Sequence, residues 1–229
     1  MSDNERGERR YDAVLFDWDD TLCGAEPHRY AHAQEVARGL GVDLTLPEVY
    51  RAFVRAGDSM VLHWAELTAR LPEQLGIPPE QREKFVSGYR ARDAYRTFQI
   101  YDDVLDVIDI IGQHKLRVGV LSNNDEVAQH VERMDVQHRF EIVVSPSTFG
   151  VGKPDPEIFR RTVEQMGVAA ERTIYVGDSY DNDVVGARAA GMTPVLVDRF
   201  GINLADHDAE HRVETLAAFA TLLGGLLYE

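Results

Sequence analysis

Two carboxylates one residue apart, Asp17 and Asp19, follow directly on the apolar run Ala13-Val14-Leu15-Phe16. A strand buried on both faces of a parallel sheet reads as such a run, and in these sheets ligands bind beyond the carboxyl ends of the strands. Placed there, the pair suits a nucleophile with a metal ion beside it. An Asx-rich turn or a helix cap accounts for Asp17 to Thr21 as well.

Three further stretches carry comparable residues. Val118 to Leu121 runs into Ser122-Asn123-Asn124 and then a helical pattern, which puts a hydroxyl and free backbone N–H groups at a helix N-terminus. Anions bind at such ends, and plain caps occur there too. In Gly150-Val151-Gly152-Lys153-Pro154-Asp155-Pro156 one lysine stands between Gly and Pro, as a held point charge for an oxyanion or as an ordinary solvated lysine. Ile174-Tyr175-Val176-Gly177-Asp178-Ser179-Tyr180-Asp181-Asn182-Asp183 repeats the order strand, glycine, carboxylates. Acids crowded at two strand ends repel one another unless a cation neutralises them, which favours a metal site over a solvated acidic turn.

These residues need strands to carry them. Besides Ala13 to Phe16, the runs Leu116 to Leu121, Phe140 to Val144, Thr173 to Val176 and Thr193 to Val197 read as strands. Between them Val104, Val107, Ile108 and Ile111, then Val127, Val131 and Met134, follow helical spacing, and Pro156 opens a helix to Met166. Alternation of strand and helix predicts an α/β fold, a Rossmann-like parallel sheet with helices on both faces. Val213 to Leu227 reads as a final docking helix weakened by Gly224 and Gly225.

From Cys23 to about Phe98 strand signals vanish and three amphipathic segments replace them: Tyr30, Ala33, Val36 and Leu40; Val49, Phe53, Met60 and Trp64; Phe85, Val86 and Tyr89. An inserted helical unit at residues 24–98 is expected, joined near Gly24 to Pro27 and Thr97 to Tyr101, with residues 11–23 and 99–229 forming the α/β core. His28, Arg29 and His32 near its entry and Arg90, Arg92 and Arg96 near its exit suit either a second anionic group or a solvated face. Residues 1–10 read as a frayed tail, without the apolar centre of a secretory signal.

The chain has 229 residues, enough for one domain with an insertion, and its composition, 44% hydrophobic and 28% charged, is that of a globular protein. A net charge of -15 argues against nucleic acid or an anionic membrane as partner, and no apolar run is long enough to span a bilayer. Any anionic substrate therefore needs a local cation. The single Cys23 rules out an intramolecular disulfide framework and fits a reducing cytoplasm.

Taken in order, Asp17-Trp18-Asp19-Asp20-Thr21, Ser122, Lys153 in Gly-Lys-Pro, and Gly177-Asp178 with Asp183, followed by Gly186-Ala187-Arg188-Ala189-Ala190-Gly191-Met192, resemble the haloacid dehalogenase-like superfamily. The resemblance is to its phosphatases with a helical cap inserted after the first motif. It implies a phosphatase for a small phosphorylated metabolite, a monomer or homodimer, in which Asp17 attacks phosphorus to form an aspartyl-phosphate and Asp19 first protonates the leaving oxygen, then activates water. It further implies Mg2+ held by the Asp17 and Asp178 carboxylates and the Asp19 backbone carbonyl, with Asp183 as ligand or supporting acceptor. Ser122, Asn123 and Lys153 would bind the phosphoryl group. The four-residue gap from Asp178 to Asp183 resembles the branch with acylneuraminate phosphatases and some nucleotidases. Alternatives are a 2-haloacid dehalogenase-type hydrolase, disfavoured by the acid at Asp19, a mutase sharing every core residue, and a non-catalytic phosphate-sensing or protein-binding module.

Overall fold

A computed structural model describes residues 9–26, 28–58, 64–93, 97–203 and 207–228. The strands are β1 (Ala13–Phe16), β2 (Cys23–Glu26), β3 (Thr97–Ile100), β4 (Arg117–Leu121), β5 (Ile142–Val144), β6 (Thr173–Gly177), β7 (Thr193–Val197) and β8 (His211–Val213). Six of them form one sheet in the order β5-β4-β1-β6-β7-β8, with parallel pairing throughout, while β2 and β3 make a separate two-stranded sheet.

The register explains why distant motifs meet. Phe16 of β1 pairs with Val120 of β4 on one side and Val176 of β6 on the other. The residues just beyond these pairs are Asp17, then Leu121 with Ser122, and Gly177 with Asp178, so three loops leave the same carboxyl edge. Alternation along the strands feeds two cores. Val14, Phe16, Val118, Val120, Ile174 and Val176 pack with helices Val104–Gln113, Val127–Arg133 and Leu216–Leu226 on one face. Leu15, Leu121, Val144 and Tyr175 pack with helices Pro156–Gln165 and Val185–Ala190 on the other. At Gly119 an added Cβ would lie 2.8 Å from side-chain atoms of both Ile142 and Leu15, so the centre of the sheet tolerates only hydrogen there.

The chain divides into two compact units: residues 1–23, 100–200 and 205–229, and residues 24–99 with 201–204. The second holds helices Arg29–Gly39, Leu46–Phe53, Trp64–Gln74 and Arg82–Asp93. Its core is aromatic: Tyr30 lies edge-on to Phe53 at 4.9 Å and to Tyr50 at 5.5 Å, and Phe85 stacks on Tyr89 at 5.9 Å. The stripe from Val49 to Trp64, expected as one segment, is divided between two helices, because Gly57 takes φ 110° and breaks the first; Met60 lies outside the described residues.

Other differences have simple causes. β8 was not foreseen, since three residues, His-Arg-Val, at a sheet edge give no apolar run; it also takes Val213 from the expected last helix, which starts at Leu216 behind the Thr215 cap. β2 and β3 arise where only helical signal was read. Arg9 and Arg10 are not frayed: Arg9 donates to the His114 carbonyl at 2.8 Å and to Asp12, and the Arg10 N–H to the Leu227 carbonyl. No helix among the described residues is long and apolar enough to cross a membrane.

Candidate active site

The chain turns sharply after β1. The N–H groups of Leu22 and Cys23 both donate to the Trp18 carbonyl at 2.9 Å, the Asp20 N–H donates to the Cys23 carbonyl, and Asp20 takes φ 61°, a left-handed value that Asp tolerates better than most residues. The turn leaves Asp17 buried, Asp19 half-buried and Trp18 in the core. The Thr21 carbonyl is held by Arg199, whose guanidinium also pairs with Asp103 at 2.9 Å and lies over the Tyr101 ring.

Lys153 is the centre of the site. Its Nζ lies 2.5 Å from Asp17 Oδ1, 2.6 Å from Asp183 Oδ1 and 3.0 Å from the Tyr175 hydroxyl oxygen. The lysine is 3% exposed and Asp183 1%. Each of the three ammonium protons therefore has an acceptor, and the charge of one lysine is shared by two acids. Burial favours a neutral lysine, but the Asp17 and Asp183 charges outweigh it and raise the ammonium pKa, so Lys153 stays charged. Burial pushes the Asp17 carboxyl up to about 7, with Asp183 and Asp19 adding to the rise and Lys153 opposing it. Burial and the same acids also raise the Tyr175 hydroxyl, which stays neutral.

Asp183 reaches Lys153 because residues Tyr180–Val184 form one wide turn, with the Val184 N–H as well as that of Asp183 donating to the Ser179 carbonyl. That turn accommodates the long gap after Asp178 and selects Asp183 over Asp181, which remains half-buried outside this network. Asp183 Oδ1 also lies 3.1 Å from the Tyr175 hydroxyl oxygen, and Oδ2 accepts from the Ser179 N–H at 2.9 Å. Gly177 is required by proximity: a Cβ there would run into the Asp183 carboxylate. Asp17, Asp178 and Asp183, all buried, present carboxylate oxygens within 4.8 Å of one another.

Around Asp19 the second loop supplies the partners. Asn124 Nδ2 donates to Asp19 Oδ2 at 3.1 Å, and Ser122 Oγ lies 3.4 Å from the same oxygen while accepting from the Asn124 N–H. Asn123, expected as a phosphate ligand, spends its side chain differently. Its amide clamps the main chain of Lys153, with Nδ2 donating to the Lys153 carbonyl at 2.9 Å and Oδ1 accepting from the Lys153 N–H at 2.7 Å.

The structure thus groups Asp17, Lys153, Asp178 and Asp183, with Asp19 and Ser122 alongside. Sequence reasoning missed Tyr175, whose ring fits an apolar strand and so conceals its hydroxyl, and Asn124, which reads as a cap. In the helical unit, His32 is 2% exposed with Nε2 3.0 Å from the Tyr89 carbonyl, Arg29 lies over the Tyr30 ring, and Arg90 donates to Thr68. These three are part of that unit's own packing; the Arg92 and Arg96 side chains lie outside the described residues.

Comparison with known proteins places this geometry in a family. The model of the haloacid dehalogenase-like hydrolases matches residues 11–191. A glyceraldehyde 3-phosphate phosphatase of Methanopyrus kandleri is 31% identical over 82% of this chain and 84% of its own length. A phosphoserine phosphatase of Thermus thermophilus is 33% identical over 86% of this chain and 92% of its own. A HAD family hydrolase of Deinococcus radiodurans, solved with bound phosphate and sodium, superposes with TM-score 0.69 at 23% identity, covering 95% of this chain and 98% of that one. The fold is also that of a 2-haloacid dehalogenase of Pseudomonas syringae, with TM-score 0.60 at 22% identity over 94% and 99% of the two chains. The match across residues 11–191, which contain all the clustered acids and Lys153, makes this chain a member of the haloacid dehalogenase-like hydrolase family.

Proposed function

We propose that the protein is a cytoplasmic, magnesium-dependent phosphatase that hydrolyses a small phosphate monoester through an aspartyl-phosphate on Asp17. The observation that carries this reading is the cluster of three buried acids, Asp17, Asp178 and Asp183, beside a single buried ammonium. Three negative charges against one positive leave the cluster short of positive charge, and an all-oxygen donor set suits a hard divalent cation. Asp17, Asp178 and the Asp19 carbonyl would hold Mg2+. Asp183, already accepting from Lys153 and the Ser179 N–H, would support the site from behind. When bound, the cation neutralises charge between the attacking carboxylate and the phosphoryl oxygens. Relatives named as phosphatases, three of them at least 31% identical over most of the chain, support the substrate class.

The chain's own residues account for the rest. Asp17 Oδ1 is anchored by Lys153, while Oδ2 has, among the described residues, the Thr21 hydroxyl at 3.4 Å as its hydrogen-bond partner. Attack by Asp17 forms the Asp–O–P bond as the ester P–O bond breaks, and Asp19 gives its proton to the leaving oxygen. In the second half Asp19 takes a proton from water, the water oxygen bonds to phosphorus, and the Asp17–phosphorus bond breaks to release inorganic phosphate. Asn124 and Ser122 hold Asp19 on its side of the site. The Asn123 side chain fixes the loop of Lys153. The helical unit that interrupts the core after β1 is read as a cap that selects the substrate.

Halide expulsion needs no proton, so Asp19 favours phosphoryl transfer over dehalogenation. The test is release of phosphate and of halide from panels of phosphate esters and 2-haloacids, with magnesium and with a chelator. Metal-dependent phosphate release without halide release is expected. Halide release alone contradicts the reading.

A further inference from the structure

Tyr175 is fully buried in a cluster that is otherwise apolar, and its ring lies 4.9 Å from that of Phe159. Phenylalanine would fill the same space. The hydroxyl therefore has a use other than packing, since a buried hydroxyl costs free energy unless it is hydrogen-bonded. Its contacts tie separate parts of the site together. It donates to the carbonyl of Leu121, the last residue of β4, at 2.9 Å, lies 3.1 Å from Asp183 Oδ1, and accepts from Lys153 Nζ at 3.0 Å. Tyr175 is in register with Leu15 of β1, which on its other side pairs with Gly119 of β4. The side chain thus extends from β6 past β1 to reach β4.

We propose that the Tyr175 hydroxyl is a positioning residue for Lys153, fixing the third ammonium proton so that the other two stay on Asp17 and Asp183. A lysine has a long flexible stem and no preferred direction at its end. Two carboxylates alone leave its ammonium free to rotate about the line of their contacts, and a neutral acceptor on a rigid strand removes that freedom. Because the hydroxyl passes its own proton to the Leu121 carbonyl, its lone pair stays directed at Nζ. The inference rests on the phosphatase reading for its kinetic consequence, though not for the contact itself.

Two measurements on the full-length chain test it. In steady-state turnover of p-nitrophenyl phosphate with magnesium, Tyr175→Phe should lower kcat by about tenfold or more, the scale of a lost hydrogen bond to a charged group, with KM changed by less than about twofold. Tyr11→Phe serves as control: Tyr11 is also buried, and its hydroxyl bonds Thr193 Oγ1, at 2.8 Å and away from the acid cluster, so its loss should leave kcat unchanged. A kcat for Tyr175→Phe within about twofold of wild type, or a loss confined to KM, overturns the proposal.

The second measurement needs no turnover. Urea unfolding of Tyr175→Phe, Lys153→Met and the double variant should give a double loss clearly smaller than the sum of the two, because the hydroxyl acts through the ammonium. Additive losses overturn the proposal. An inactive wild-type chain would remove the phosphatase reading while the unfolding cycle still decides the role of Tyr175.

Discussion

Replacing Lys153 with Met should do more than stop turnover, because the lysine is the only cation among the described residues in contact with the Asp17 and Asp183 carboxylates. Methionine fills much the same space and leaves two buried acids facing each other with no positive charge. Removing one partner of a buried ion pair costs about 3–5 kcal/mol, most of it the penalty of the stranded charge. At roughly 2–4 °C per kcal/mol for a chain of this size, the melting temperature should fall by about 6–20 °C. The loss should depend on pH. Asp17 is raised to about 7 even with Lys153 present, and without the ammonium it must rise further. An acid whose folded pKa lies above its unfolded value loses stability as pH climbs from the unfolded towards the folded pKa; wild type and variant share that loss up to about pH 7, so the deficit from Asp17 should be small below about pH 7 and grow as pH rises through 8. Magnesium should restore part of it by supplying the missing charge. Thermal melts of wild type and variant at pH 4, 6 and 8, with and without magnesium, measure all three effects. A variant that melts within about 2 °C of wild type at pH 8 would refute the charge balance assigned to this cluster.

Gly177→Ala should push the Asp183 carboxylate off Lys153 and Tyr175, since the new methyl group would occupy its place; melts and kinetics should register about 1–3 kcal/mol of overpacking and a loss of kcat of about a hundredfold or more. Far from the site, Arg172 and Arg9 hold the Asp12 carboxyl at about 2, the Arg172 hydrogen bond being the largest cause. A depressed acid stabilises above its unfolded pKa, so Asp12→Asn should cost at most about 1 kcal/mol near neutrality, given its exposure, and the difference should vanish as pH falls from about 4 through 2. A difference that persists at pH 2 would show that packing rather than charge is responsible.

How much of this was legible depended on what kind of signal each part leaves. β1, β4 and β6 are buried on both faces and so appear as apolar runs, and their shared carboxyl edge follows from parallel pairing; Asp17, Ser122 and Asp178 could therefore be placed at one edge from the chain alone, while Lys153 was placed by its motif. β8 could not, because a three-residue edge strand needs no apolar pattern. Gly57 conceals a helix break inside a periodic stripe, since periodicity does not record a single positive φ. The partners of the Asn123 and Tyr175 side chains were not legible for one reason: residue type announces a hydrogen-bonding group but not its direction. Asn123 turns towards the Lys153 main chain, and the Tyr175 hydroxyl lies at the end of a ring that packs like any core aromatic. Asp183 was chosen over Asp181 by motif spacing, and its place is explained by a wide turn that spacing alone does not reveal.

The central claim is that Asp17 carries the phosphoryl group. Rapid acid quench of the enzyme during turnover, followed by borohydride, should reduce an acyl phosphate at position 17 to homoserine, which peptide mass spectrometry would locate. The account predicts modification at Asp17 that requires both substrate and magnesium. Phosphate turnover with Asp17 unmodified, or with the modification at Asp19 or Asp178 instead, would contradict it.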